Sequence, residues 1–211
     1  MKLLSILPFV ASLVAAAPSS EPLTSRALST PNVTPSTVTI KGVSLLGSGC
    51  PAGTADVQID ATGTLLEVTF SEYIIQTGPG TRASDWRKNC KLTINLAYNE
   101  GFQFATLATE MRGFAQIPKG SRGTCTNVFD FTGESGQTQY SVSLPGEREG
   151  PFSLKADPDL VSWSPCGGTT AILNQNTQCN ISPTQAQALI AVDRISGKIT
   201  VSVSLEWRKC R

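Results

Sequence analysis

Six cysteines, sixteen carboxylates, three tryptophans and no histidine are the side chains with which this 211-residue chain could do chemistry. The missing imidazole removes the Ser-His-Asp and Cys-His nucleophile systems and every His-ligated metal site. Acid–base work would fall to Asp and Glu, and a glycosidase would need two of them about 5–9.5 Å apart across a cleft. Nothing in the order of the sixteen acids ranks one pair above another. The densest group is Asp157-Pro158-Asp159. Its oxygens would suit calcium, which makes Asp157 and Asp159 a lesser metal candidate, but Asp and Pro both favour turns and a solvated turn is the preferred reading. Glu147-Arg148-Glu149-Gly150-Pro151 reads as a charged loop tip. Asp130-Phe131-Thr132-Gly133 has its Asp one place away from an aspartic-protease turn and has no second copy. No G-x-S-x-G elbow occurs, and Gly78-Pro79-Gly80 lacks the Lys-Ser/Thr of a phosphate loop. No catalytic residue and no cofactor is assigned.

Cys50, Cys90, Cys125, Cys166, Cys179 and Cys210 are even in number. No C-x-x-C pair exists to hold zinc, so three disulfides are expected, each contributing about 2–4 kcal/mol. Six cysteines allow 15 pairings. Closeness across a turn-rich segment favours Cys166–Cys179, and Cys50–Cys90 and Cys125–Cys210 are the pairs expected with it, although sequence alone does not choose among the pairings.

Disulfides require export. Met1-Lys2 precedes the apolar run from Leu3 to Ala17, which ends in small residues. This is the layout of a signal peptide covering residues 1–16, and the run is too short to span a bilayer. Residues 17–37 are rich in Ser, Thr and Pro and have little to bury, so they are expected to be mobile. Residues 38–211 are read as one secreted domain. Asn32 and Asn180 head N-x-Ser/Thr sequences and are glycosylation candidates, each with Pro after the pattern. No later stretch could cross a membrane. A formal net charge of +1 argues against a nucleic-acid partner.

Alternation with period two dominates the pattern. It runs through Val38–Val43, Asp56–Ile59, Thr64–Phe70, Lys91–Tyr98 and Gln137–Leu144. Asp60-Ala61-Thr62-Gly63 is a hairpin turn, and Ala188–Ile195 with Lys198–Trp207 around Ser196-Gly197 gives the strongest hairpin signal. Ser182-Pro183-Thr184-Gln185-Ala186-Gln187-Ala188 is the one helix candidate. The class expected is all-β: an antiparallel β-sandwich, Greek-key or jelly-roll-like, stapled by disulfides.

Exposed Trp or Tyr would stack sugars on such a body. Trp86, in the polar run Ser84–Cys90, and Tyr98 are the candidate ligand-facing residues, with Tyr73 beside them. Core packing is the preferred role for Trp163 and Trp207.

Gly47-Ser48-Gly49-Cys50-Pro51-Ala52-Gly53-Thr54, Gly78-Pro79-Gly80, Ala83-Ser84-Asp85, Arg87-Lys88-Asn89-Cys90, Gly101-Phe102-Gln103-Phe104 and Arg112-Gly113-Phe114 occur in that order. This order resembles the secreted fungal proteins grouped as domain of unknown function 4360, from about Val38 to the C-terminus. Trp86 departs from it, standing where a smaller residue is expected. The resemblance implies a small, secreted, cysteine-bridged, β-rich protein, and it supplies no activity and no catalytic residue.

The function expected is a non-enzymatic extracellular protein, monomeric, at the cell wall or a host interface, binding a cell-wall polysaccharide or a host protein. The alternatives are a carbohydrate-active hydrolase with two carboxylates, or a secreted effector.

Overall fold

The computed structural model describes residues 33–191 and 197–210. The expected signal peptide, most of the Ser/Thr/Pro-rich segment, Asn32 and Ser196 of the expected hairpin turn lie outside the described residues. The elements among the described residues are β1 (Val38–Leu46), β2 (Ala55–Ile59), β3 (Leu65–Phe70), β4 (Ile75–Thr77), α1 (Ala83–Trp86), β5 (Arg87–Tyr98), β6 (Phe102–Ile117), β7 (Arg122–Phe131), β8 (Gln137–Pro145), β9 (Arg148–Ala156), β10 (Thr170–Ser182), β11 (Ala188–Ala191) and β12 (Ile199–Lys209).

They form two antiparallel sheets. The first has the order β1-β5-β10-β7-β8, and the second runs β2-β3-β12-β6-β11-β4 with β9 on β6. Alternation in the sequence becomes two faces in space. Leu92, Ile94, Leu96 and Tyr98 of β5 point inward, as do Ile199, Val201, Val203, Leu205 and Trp207 of β12, and all are buried in one core between the sheets. The fold is therefore the expected disulfide-stapled β-sandwich.

The hairpin expected between residues 188 and 207 does not form. β12 pairs with β6 from Phe102 to Arg112, and β11 pairs with β6 from Phe114 to Gln116. Both run antiparallel to β6 on the edge opposite β9, so they point the same way, one after the other. β3 and β4 do the same beside them: Phe70 pairs with Ile199, and Ile75 with Ile190. Two interrupted strands thus lie side by side. A turn signal between two alternating runs fixes a break in the chain, but it does not decide whether the chain reverses there.

The break between β3 and β4 carries Tyr73 into the core. The side chain is fully buried, and its hydroxyl donates to Lys88 O at 2.8 Å and Thr177 O at 3.0 Å, both in the first sheet. The hairpin expected at Asp60-Ala61-Thr62-Gly63 does form between β2 and β3. Asp60 Oδ1 accepts the backbone N–H of Thr64 and of Leu65, each at 2.8 Å. Burial raises the Asp60 pKa, but the Thr62 hydroxyl and these amides outweigh it and hold the carboxyl below its ordinary value.

The bridges are Cys50–Cys90, Cys125–Cys179 and Cys166–Cys210. The first is the expected pair, and the other two correct the expectation. The segment between Cys166 and Cys179, read as turn-rich, runs from Thr170 onward in β10, the central strand of the first sheet, where Cys179 lies directly opposite Cys125 with Cα atoms 4.1 Å apart. Cys166 is left for Cys210, 5.7 Å away between Cα atoms.

The helix expected at Ser182–Ala188 is likewise absent. Ser182 ends β10, and the segment beyond it is held by β4 and the turn that follows. Thr77 Oγ1 donates to Ala186 O at 2.6 Å, and Gly78 N–H to Thr184 O at 3.0 Å. Tertiary hydrogen bonds here override a local capping signal.

Candidate functional site: an amide and hydroxyl face

β10 alternates inward Ala171, Leu173, Gln175, Thr177, Cys179 and Ile181 with outward Asn174, Asn176, Gln178 and Asn180. Four carboxamides therefore line one face of the central strand over about 20 Å, at a rise of about 3.4 Å per residue. The register puts further polar side chains beside them. Thr93 and Asp130 flank Asn174, Asn89 and Thr126 flank Gln178, and Thr124 flanks Asn180. β8 extends the rows with Gln139 beside Val128 and Ser141 beside Thr126. Lys91 and Val128 flank Asn176, and Arg87 lies beside Asn180, so the outer face of the first sheet is a ladder of amides and hydroxyls interspersed with cations.

Several of these groups are held in place by their neighbours. Asn174 Oδ1 accepts from the Thr93 hydroxyl at 3.0 Å, and its Nδ2 donates to Asp130 Oδ2 at 2.8 Å. Arg87 donates to Gln178 Oε1. The Thr126 and Ser141 hydroxyls are 3.1 Å apart. Asn95 Oδ1 and Asn176 Oδ1 are buried and have no protein donor. Carboxamides both donate and accept, as sugar hydroxyls do.

The outer face of the second sheet differs in kind. Arg112 and Glu110 form an ion pair at 2.9 Å there. Hydrogen bonds from Arg112 and from Ser153, helped by the charges of Arg112 and Lys155, hold the Glu110 carboxyl down to about 2 against an opposing effect of burial.

Of the residues singled out from the sequence, Asn180 lies on this face and the others fall elsewhere. Tyr98 is only 6% exposed, its ring edge-on to Phe104 and to Trp207, so it offers no face to a ligand. Burial raises its pKa, and its hydroxyl has no hydrogen-bond partner among the described residues. Tyr73 is buried as described. Trp86 ends α1 half-buried, with Nε1 donating to Thr81 Oγ1 at 2.7 Å, so it is less open than its polar surroundings suggest. Trp207 packs in the core and donates from Nε1 to Gly63 O at 2.7 Å. Asp157 and Asp159 are exposed in the loop after β9, and among the described residues no group of three or more His, Cys, Asp or Glu comes together. Asn180 lies half-buried on the amide face, in register between Arg87 and Thr124.

The motifs Gly47-Ser48-Gly49-Cys50 and Lys88-Asn89-Cys90 prove to be each other's partners. Gly49 N–H donates to Asn89 O at 2.8 Å, the Ser48 hydroxyl donates to Asn89 Oδ1 and accepts from the Asn89 backbone N–H, and Cys50 is bridged to Cys90. A Cβ on Gly47 would come 2.2 Å from Asn89 O. Their role is structural. The amide ladder was missed from the sequence, although its signal is there: a carboxamide at every second position from Asn174 to Asn180.

A family described as Domain of unknown function (DUF4360) matches residues 36–210. A relative from Arthroderma benhamiae, named Uncharacterized secreted protein, is 34% identical over 180 residues, which cover 83% of this chain and 73% of the relative. Among solved structures, TmCBM61 in complex with β-1,4-galactotriose is 8% identical with a TM-score of 0.27, over 81% of this chain and 90% of that one. The family 11 carbohydrate-binding module from Clostridium thermocellum, in complex with a β-1,3-1,4-mixed-linked tetrasaccharide, is 8% identical with a TM-score of 0.25, over 82% and 96%. At these scores neither structure informs what this chain binds.

Proposed function

The chain belongs to the DUF4360 family and is a secreted protein, and from that premise we propose that it is a non-catalytic, monomeric glycan-binding protein. Its ligand is a neutral cell-wall polysaccharide laid on the outer face of the first sheet. The observation that carries this reading is the run Asn174, Asn176, Gln178, Asn180, flanked by Thr93, Lys91, Asn89 and Arg87 of β5 and by Asp130, Val128, Thr126 and Thr124 of β7. Such a face offers paired donors and acceptors over several sugar lengths. Because neighbouring side chains hold several of the amides in place, less rotamer freedom is lost on binding.

A hydrolase would need a carboxyl whose pKa is raised for proton donation. Asp60 and Glu110 are both held low, so neither supplies such a group.

The test is retention of the secreted protein on immobilised cell-wall polysaccharides, run beside an assay for released reducing ends. Retention on a neutral polysaccharide, weakened about 2- to 10-fold by Asn176→Ala and without product, is expected for one lost hydrogen bond. Product release, or retention that substitutions on this face leave unchanged, would overturn the proposal.

A further inference from the structure

The loop between β9 and β10 crosses the sandwich and is pinned to both sheets. Trp163 bridges to Ala105 of β6, Ser164 N–H donates to Phe104 O at 2.8 Å, and Ser162 N–H donates to Thr138 Oγ1 of β8 at 2.8 Å. The loop occupies the stretch of β6 edge that β9 leaves open. Beside it lies an open cleft of about 420 Å³ between the loop, the β7–β8 turn and the end of β12.

The cleft contains an oriented guanidinium. Arg208 Cζ lies 3.6 Å from the centre of the Trp163 ring. Gln103 is nearly buried, at 9% exposure. With its amide set to satisfy both neighbours, it donates from Nε2 to Ser164 O at 3.2 Å and accepts at Oε1 from Arg208 Nε at 3.0 Å. The Cys166–Cys210 bridge ties the loop to the chain two residues after Arg208. Stacking fixes the plane of the guanidinium and Gln103 fixes its roll. No protein acceptor is bonded to the two terminal nitrogens among the described residues.

We propose that this cleft is a second ligand site, one that takes the carboxylate of an acidic sugar. A planar fork of two N–H donors matches a carboxylate with two parallel, charge-assisted bonds, and Lys cannot reproduce that match. Trp163 supplies the ring face on which the guanidinium rests. Glu134 on the rim disfavours a dense polyanion and suits a ring that carries one carboxylate and several hydroxyls. The site is separate from the amide ladder and does not depend on it.

The test uses methyl glucuronide and methyl glucoside as a matched acidic and neutral pair, read by tryptophan fluorescence on the secreted protein. The glucuronide is expected to change the signal saturably and to weaken as salt is raised, and the glucoside to do neither. Arg208→Lys keeps the charge but loses the fork, and should weaken glucuronide binding at least about tenfold. Asn176→Ala should leave glucuronide binding unchanged, which separates this site from the amide face. No signal up to the solubility limit, equal response to the neutral partner, or unchanged affinity in Arg208→Lys would each overturn the proposal. Should that variant fail to fold, the salt dependence in the unaltered protein decides between the same outcomes.

Discussion

Gly49 stands where any side chain would collide with Tyr73: a Cβ there would lie 2.3 Å from Cε2 of the ring. The contact joins the loop before the Cys50–Cys90 bridge to the residue that enters the core through the break between β3 and β4. Gly49→Ala should cost about 1–3 kcal/mol, the range for forcing extra atoms into a packed core. Urea unfolding of the variant against the parent would show it, and an unchanged midpoint would mean that Tyr73 has room to move.

Tyr73→Phe keeps the ring and removes the hydroxyl shared by Lys88 O and Thr177 O. A buried carbonyl (Thr177) and a part-buried one (Lys88) lose the one proton they share, so a loss of about 1–3 kcal/mol is expected in the same measurement. Burial pushes the phenol pKa above its ordinary value despite a hydrogen bond from Cys179, so Tyr73 should stay un-ionised in alkaline ultraviolet titration until the fold opens.

At the β2–β3 turn, Asp60→Ala removes the acceptor for the amides of Thr64 and Leu65. A loss of about 1–2 kcal/mol is expected, in line with other lost side-chain caps. Asp60→Asn keeps an acceptor oxygen and should recover part of it. Equal thermal midpoints for the two variants would contradict this account.

Glu110 gives a pH signature. Its folded pKa, about 2, lies below the usual 4.5. The stability it adds is therefore complete above the unfolded value and is lost as pH falls through the folded one. The pair is partly open to water, with the Arg112 side chain 58% exposed, so the contribution is under about 1 kcal/mol. Glu110→Gln should lower the melting midpoint slightly at neutral pH, and the gap from the parent should close between pH 4.5 and 2. A gap that persists at pH 2 would assign the effect to packing.

The three bridges differ in access. Cys50, Cys90, Cys125 and Cys179 are at most 1% exposed, whereas Cys166 is exposed and Cys210 is half-exposed. Exchange needs attack by a thiolate on a reachable sulfur. Brief treatment with a mild reductant, followed by alkylation and peptide mapping, should label Cys166 and Cys210 first.

What could be read before folding was whatever repeats locally. Period-two runs marked β5, β8 and β12 correctly because one buried face demands alternation. The Asp60–Gly63 turn was also correct, since its hydrogen bonds close within five residues. The failures share a cause. Whether Cys125 meets Cys179, whether β11 reverses into β12, and whether residues 182–188 coil all depend on which strands become neighbours, and no short window of sequence carries sheet order. Trp86 and Tyr98 were chosen by residue type and polar surroundings. The amide ladder escaped notice because Asn and Gln read as turn formers until their spacing of two is counted.

Asn180 lends the amide face a practical edge. It heads an Asn-Ile-Ser sequence and stands in register with Arg87 and Thr124 on that surface. An oligosaccharide transferred to it during synthesis would project over the neighbouring rows like an awning. Batches from a bacterial and a eukaryotic host would then be two different reagents, and only the undecorated one would present the whole surface to a ligand in solution.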